Sequence, residues 1–494
     1  MSFSFRTALP YATALGLALP LSTLALAAPT SVSAPSAAPS PPAATAAPAT
    51  TATPGAAAAA PGAAAAKAAD PKIAFERYRL PNGLEVILAP DPSVPVVAVN
   101  LWYHVGSGYE VPGRSGFAHL FEHMVFQGSK HVGDDKHFDI LKKSGAESVN
   151  GTTSPDRTNY FEVVPSNQLE VALWLESDRM GFLLEKLTKQ SLDNQIEVVR
   201  NERRQNYDNR PYGKALFALY AALYPEGHPY RYLTIGRHED LSTASVDDVK
   251  GFFKTWYIPA NATLTLVGDV EIPRAKELVQ KWFGSFPKSE KPAVVPVPAP
   301  VIQASEVTVD DEFAKLRQVT FVWHSPATFA AGDAELTVAG NALMREGPGR
   351  LYKALVYDRQ LAQSVTAFQD GSSFSGTFQI TVTLRNETQL AEVKEIVAGE
   401  VARLTRENLT EQEIGRFRAA AEAGAIRGLE SVLGRAQTLQ RYNHYLGDPD
   451  RISWDLDRYR NTSAAAIRAV AAQYLVPERM VTVLTNPGKP AGAP

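Results

Sequence analysis

Apolar positions in this chain repeat with two periods, and the places where one gives way to the other mark out its elements. Phe75–Leu80 and Leu84–Leu88 are short apolar-rich runs around Pro81-Asn82-Gly83, which predicts two strands joined by an Asn-Gly hairpin turn. Val96–Val105 is a third strand-like run, and a glycine-rich loop leads from it to Gly116–Phe126. There Phe117, Leu120, Phe121 and Met124 recur at helical spacing and leave little polar circumference, the mark of a short buried helix. The same periodicity predicts helices at Lys136–Ser144, Gln168–Leu187, Leu192–Asn209 and Ser245–Tyr257. Strands are predicted at Asn159–Val164 and Ala262–Gly268.

The pattern then breaks. Pro287–Ser305 contains Pro292, Pro296, Pro298 and Pro300, too stiff and too proline-broken for a helix or a central strand. Residues 289–304 therefore read as a linker between domains at 72–288 and 305–488. The second half replays the first. Ser245 opens a helix that closes on Tyr257 before Pro259 and the strand Thr263–Val267; Thr462 opens one that closes, at the same spacing, on Tyr474 before Pro477 and Val481–Leu484. Ser245 and Thr462 take the positions of helix N-caps. The expected fold is α+β, two homologous tandem domains, each a largely antiparallel sheet with helices packed on one face. The C-terminal domain is expected to be catalytically silent.

Composition changes this picture mainly at the N-terminus. Arg6, the apolar run Tyr11–Leu21 and the small residues Ala25-Leu26-Ala27 predict a signal peptide over 1–27 and a periplasmic mature chain; a retained anchor is the alternative. Residues 28–71, almost wholly Ala, Pro, Thr and Ser, read as a disordered tether. At 494 residues the chain exceeds one ordinary core, and a net charge of −3 gives no footprint for nucleic acid or an anionic membrane. The absence of cysteine removes disulfides and thiolate metal ligands from consideration.

Three ionisable groups interrupt the apolar helix at 116–126. His119 and His123 lie one turn apart on one face, and Glu122 stands beside them. Burying two imidazoles and a carboxylate costs several kcal/mol unless each is paired or binds a metal. The spacing His-x-x-Glu-His is the inverted zinc-peptidase motif, in which two imidazoles ligate zinc and the glutamate is the base; two core histidines bonded to backbone carbonyls are the bland alternative. A third ligand has to be a carboxylate or another histidine. In the helix expected at Leu192–Asn209, Leu192, Ile196 and Val199 form the inward stripe and Glu202 takes its next position, where a carboxylate calls for a partner: zinc, or Arg203 or Arg210. Glu197 falls on the polar face with Asp193, Arg200 and Arg204.

His119-Leu120-Phe121-Glu122-His123 with Glu202 resembles the pitrilysin-type (M16) zinc metallopeptidases. Gly145–Asn150, Val198–Glu202, His228-Pro229-Tyr230 and Tyr257–Asn261 are also similar to landmarks of that family, and the likeness covers about residues 72 to 488. It points to the shorter, two-domain branch that includes mitochondrial processing peptidases, built of repeated α+β domains that pair to enclose a peptide chamber. The resemblance implies one Zn²⁺ per chain held by His119, His123 and Glu202, with Glu122 activating water. It also implies that Asn150, near a sheet edge, helps hold a peptide as an added strand; a turn Asn before Gly151 is the plainer reading. Two departures stand out. Gln195 occupies a position where the family often has a second glutamate. Active members carry an Arg and a Tyr seven apart in a C-terminal domain; here Val356 and Gln363 fall at those places, and Arg350 and Tyr357 have the spacing out of register. The expected partner is therefore a homologous subunit that supplies the Arg/Tyr pair in a heterodimer, in preference to a homodimer. The alternative is a non-catalytic assembly subunit that retains a zinc site.

Overall fold

Asn82 and Gly83 close the first hairpin in the computed structural model, which describes residues 70–386 and 389–488. The signal peptide, and the tether up to residue 69, lie outside the described residues. Gly83 has φ +102°, and a Cβ there would stand 2.7 Å from that of Ala260, so only glycine fits the turn. The Asn82 side chain accepts from Leu84 N at 3.1 Å and donates to Phe283 O at 2.6 Å, tying the turn to a distant helix end.

The first half holds strands β1 (Glu76–Arg79), β2 (Glu85–Pro90), β3 (Val96–Tyr103), β4 (Glu147–Thr153), β5 (Thr158–Pro165) and β6 (Ala262–Gly268). They form one sheet in the order β1-β2-β6-β3-β5-β4, antiparallel throughout except for β2 with β6. The second half holds β7 (Ser305–Asp311), β8 (Gln318–Ser325), β9 (Ala362–Gly371), β10 (Gly376–Leu384) and β11 (Val481–Pro487), in the order β7-β11-β8-β10-β9. Only β7 and β11 run parallel. With β1 set aside, both sheets read first, last, second, fourth and third strand, with the parallel pair in the same place. The repeat suggested by one helix–strand pair thus extends through the whole topology. Residues 287–304 between the sheets form no helix or strand.

Helices of its own half cover one face of each sheet. Val86, Leu88, Val97, Val99 and Leu101 enter a core shared with helices Leu169–Phe182 and Ile272–Phe283. Their alternates Ile87, Ala89 and Ala98 face the other way, against Val432, Ala436, Leu439 and Tyr442 of helix Val432–Leu446, which the second half contributes. The exchange is mutual. Helix Gly213–Leu223 of the first half places Leu219 and Leu223 against Val322, Val481 and Val483 of the second sheet. One-faced covering is therefore completed by a helix lent across the two halves. The strands anticipate this physically: β3 is buried or half-buried at every position, as a strand covered on both faces must be.

Polar contacts fix this docking. Gln440 donates to Asn100 O at 3.1 Å and Thr263 O at 2.7 Å, and the stacked rings of His104 and His444 approach to 2.7 Å between Nδ1 atoms. The β4–β5 and β9–β10 turns, equivalent in the repeat, meet at Asp156, which accepts from Tyr230 OH, Tyr445 OH and Ser373 N at 2.8, 2.8 and 3.0 Å.

Two helix starts differ from expectation. The helix expected from Leu192 begins at Lys189, because Thr188 and Ser191 form a reciprocal capping box ahead of the apolar stripe. The helix assigned to Thr462 is capped by Ser463, whose hydroxyl accepts from Ala466 N at 3.1 Å; Thr462 bonds back to Arg458 O at 2.6 Å and closes the preceding helix. Among the described residues no helix is long and apolar enough to cross a membrane.

Candidate functional site

Helix Phe117–Met124 is set in place from both ends. At its start the buried Glu110 side chain accepts from Gly116 N at 3.0 Å and Ala118 N at 2.7 Å, so a carboxyl group just upstream satisfies the first donors. Gly116, at φ +89°, lies back to back with Gly236; a Cβ on it would come within 2.9 Å of Gly236 Cα. Leu120, Phe121 and Met124 enter the first core, and the Phe121 ring lies 4.3 Å from that of Tyr257. Rotation of the helix is thereby fixed, and His119 and His123 turn toward the helix Lys189–Arg203.

Their Nε2 atoms lie 3.7 Å (His119) and 3.3 Å (His123) from Glu202 Oε2, with the three ligand atoms all within 4.8 Å of one another. Donors about 2.0–2.1 Å from a tetrahedral zinc ion stand about 3.3–3.4 Å apart, so this donor set fits zinc with little movement. Glu202 is the penultimate residue of the α-helical stretch, and a π-helical turn, Arg204–Asp208, follows Arg203 at once. Asn206 in that turn donates to Glu202 Oε1 at 3.3 Å, leaving Oε2 to face the histidines. The arginine partners weighed for Glu202 are not its contacts: Arg203 bonds to Asp208 and to Gly236 O.

The electrostatics suit a cation. Burial, then the neighbouring His123, bring His119 down to about 4 against the pull of Glu202, so its imidazole is neutral and able to ligate. Burial also pulls on His123, but its bond to Glu202 and the charges of Glu122 and Glu202 outweigh it and raise the group. Burial pushes Glu202 up, yet the His123 bond and both imidazoles leave it below the ordinary carboxyl range. Gln195, buried in the same helix as Glu202, adds to the rise of His123. His119 Nδ1 is buried with no partner among the described residues.

Glu122 is buried beside the pair, and Thr153 donates to its Oε2 at 2.5 Å. Burial raises its affinity for a proton and the Thr153 bond restrains the rise. Room for this carboxylate comes from Gly151, where a Cβ would stand 3.1 Å from Glu122 Cγ and 3.2 Å from Oε1. Gly151 and Thr153 belong to β4, the outer strand of the first sheet, which among the described residues pairs only with β5. Asn150 is exposed on this free edge in a strand rather than a turn, its Oδ1 accepting from Gly151 N at 2.9 Å. A bulge at Ser148 (φ +54°) precedes it. Thr153, Glu110 and Gly151 were not legible as site residues; Asn206 was within reach, one turn beyond Glu202.

The residues considered for an Arg/Tyr pair lie elsewhere in the packing. Arg350 is engaged by Glu413 at 2.6 and 3.0 Å, Tyr357 is 73% exposed, Gln363 is exposed, and Val356 packs on the second core. His137, Glu162 and Glu176 form a second group with ligand-like spacing. There the Arg179 guanidinium already neutralises Glu176, and Glu162, held well above the usual range by burial and by Glu176, retains its proton. A resident cation and a protonated acid leave no charge for a metal to satisfy.

A His/His/Glu cation site with a proton-accepting carboxylate beside it and an open strand edge along it is arranged for metal-assisted hydrolysis of an extended chain. Comparison with known proteins gives the family. Residues 85–231 match the family described as insulinase (peptidase family M16), and residues 243–420 match the peptidase M16 inactive domain. The zinc protease PqqE of Helicobacter pylori is 31% identical over 370 residues, 72% of this chain and 80% of that one. The crystal structure of a protease from Helicobacter pylori superposes with a TM-score of 0.78 at 27% identity, covering 84% of this chain and all of that one. The mitochondrial-processing peptidase subunit beta of Lentinula edodes is 24% identical over 73% of this chain and 79% of its own.

Proposed function

Because the chain belongs to the M16 family of peptidases, we propose that it is an exported zinc-dependent endopeptidase that hydrolyses short or unfolded peptides within a chamber, as the zinc-bearing subunit of a heterodimer. The observation that carries this reading is the convergence of His119, His123 and Glu202 beside Glu122 along the free edge of β4. His119, His123 and Glu202 would hold zinc, which would supply a Lewis acid for the scissile carbonyl and bring the pKa of its bound water to about 7. Glu122, held beside the pair by Thr153, takes the proton of the attacking water and passes it to the departing amine. The peptide lies as an added strand on β4, its main chain bonded to the strand edge and steadied by Asn150, which asks little of sequence. Arg350 is committed to Glu413. A homologous partner therefore supplies the Arg/Tyr pair that stabilises the carbonyl oxygen as it turns negative, a contribution of about a hundredfold or more. Arg6 and the apolar run after it support export to the periplasm.

Metal analysis combined with a quenched-peptide assay, on the chain alone and with its co-purified partner, tests this. Cleavage abolished by a chelator and restored by zinc is expected, fully only with the partner. Zinc bound without cleavage in either setting would instead support a non-catalytic assembly subunit. Gly151→Ala probes the base: the added methyl presses on Glu122, and kcat is expected to fall about tenfold to a hundredfold while zinc content stays constant. Unchanged kcat would mean that Glu122 does not need its present position.

A further inference from the structure

The two halves enclose a cavity of about 1200 Å³ on the side of β4 away from the zinc-type ligands. Alternation along β4 decides what faces it. Gly151 and Thr153 point to Glu122, whereas Asn150 and Thr152 line the cavity. A peptide strand added to β4 shares this pleat, so every second side chain of it projects into the same space. The lining also includes Asp370, near the end of β9, with Tyr220 and Tyr224 close enough for its charge to act on both hydroxyls.

The other ionic groups of the cavity are engaged. Asp156 accepts from three donors. Arg157 donates to Thr152 O and Asn159 Oδ1 and lies over the Trp102 ring, and Arg441 lies over that of Phe329. The Asp370 carboxylate opens on the cavity and accepts no side-chain hydrogen bond or ion pair among the described residues. Burial in the cleft, with Asp156 and Asp333 nearby, pushes it up to about 6. A carboxylate so placed gains more from an incoming cation than one already solvated or paired.

We propose that this cavity is a subsite for a basic side chain, a lysine or arginine on the cavity side of a peptide held on β4, with its cationic head against Asp370. The inference rests on the reading that this chain binds peptides at that edge, and it adds a preference among them. Asn150, Thr152 and the tyrosines surround the aliphatic stem, and Asp370 takes the charge.

The test uses the full, zinc-loaded chain carrying Glu122→Gln, so that bound peptides persist. Labelled peptides differing only in lysine or norleucine at one position, scanned along the sequence, are titrated by fluorescence anisotropy. Lysine at alternate positions is expected to tighten Kd roughly tenfold over norleucine, the size of a charge-assisted hydrogen bond. Adding Asp370→Asn, a near-isosteric change whose folding is checked by thermal denaturation, is expected to bring that ratio close to one. Equal binding of the two peptides by the Glu122→Gln chain, or a lysine preference that survives Asp370→Asn, overturns the subsite. Failure of the folded, zinc-loaded chain to bind any of these peptides overturns strand addition at β4 and the subsite with it.

Discussion

Glu122→Gln is expected to leave zinc bound and to lower kcat by roughly 10²–10⁴-fold, the usual contribution of a positioned general base. Glutamine has the same shape, and its amide oxygen still accepts the Thr153 hydroxyl that now meets Glu122 Oε2 at 2.5 Å. The space cleared by Gly151 accommodates either side chain. Only the capacity to take a proton is lost. Metal content per folded chain and single-turnover cleavage with the partner present separate the two effects. Full turnover in a preparation free of contaminating peptidase would show that another group is the base, and loss of zinc would show that Glu122 supports the ligands instead.

The largest effect on stability is expected from Arg179→Leu. Arg179 and Glu176 are 2% and 0% exposed and form a bidentate pair, with Nε to Oε2 at 2.9 Å, beneath the rings of Tyr160 and Phe126. Removing the cation strands a carboxylate in the first core, and a broken buried pair costs about 3–5 kcal/mol. Glu162→Gln is the contrast. Glu162 is held protonated beside Glu176, so a neutral amide replaces a neutral acid and the cost is expected to be about 1 kcal/mol or less. Denaturant titration of the two variants checks the ordering; equal midpoints would mean that Arg179 does not neutralise the cluster. The raised pKa of Glu162 also fixes a sign. Its folded-state proton gives stability that is full below the ordinary carboxyl value of 4.5 and declines as pH rises through the folded value.

Local periodicity made much of this architecture legible. Asn82-Gly83, the β3 run and the helix at 117–124 are set by contacts a few residues apart, and the structure reproduces them. Glu202 was legible as a carboxylate on an apolar stripe. The strand β4 was not, because Glu147-Ser148-Val149-Asn150 is polar and bulged, and an edge strand with one neighbour has no need of apolar alternation. Helix Gly213–Leu223 was missed as well, since the surface it covers belongs to the other half of the chain.

By itself, the sequence determined the residue types at the candidate site, the one-turn spacing that puts His119 and His123 on one face, and one repeated helix–strand pair. These follow from backbone geometry and hold for any placement of the halves. Only the tertiary structure decided that Glu202 Oε2 reaches both imidazoles, that Gly151 and Thr153 shape the space around Glu122, and that each half lends a helix to the other's sheet. It also decided that Asp370 and the edge strand line one cavity. Such distances between residues remote in sequence depend on how whole layers pack, and no periodicity within a segment encodes them.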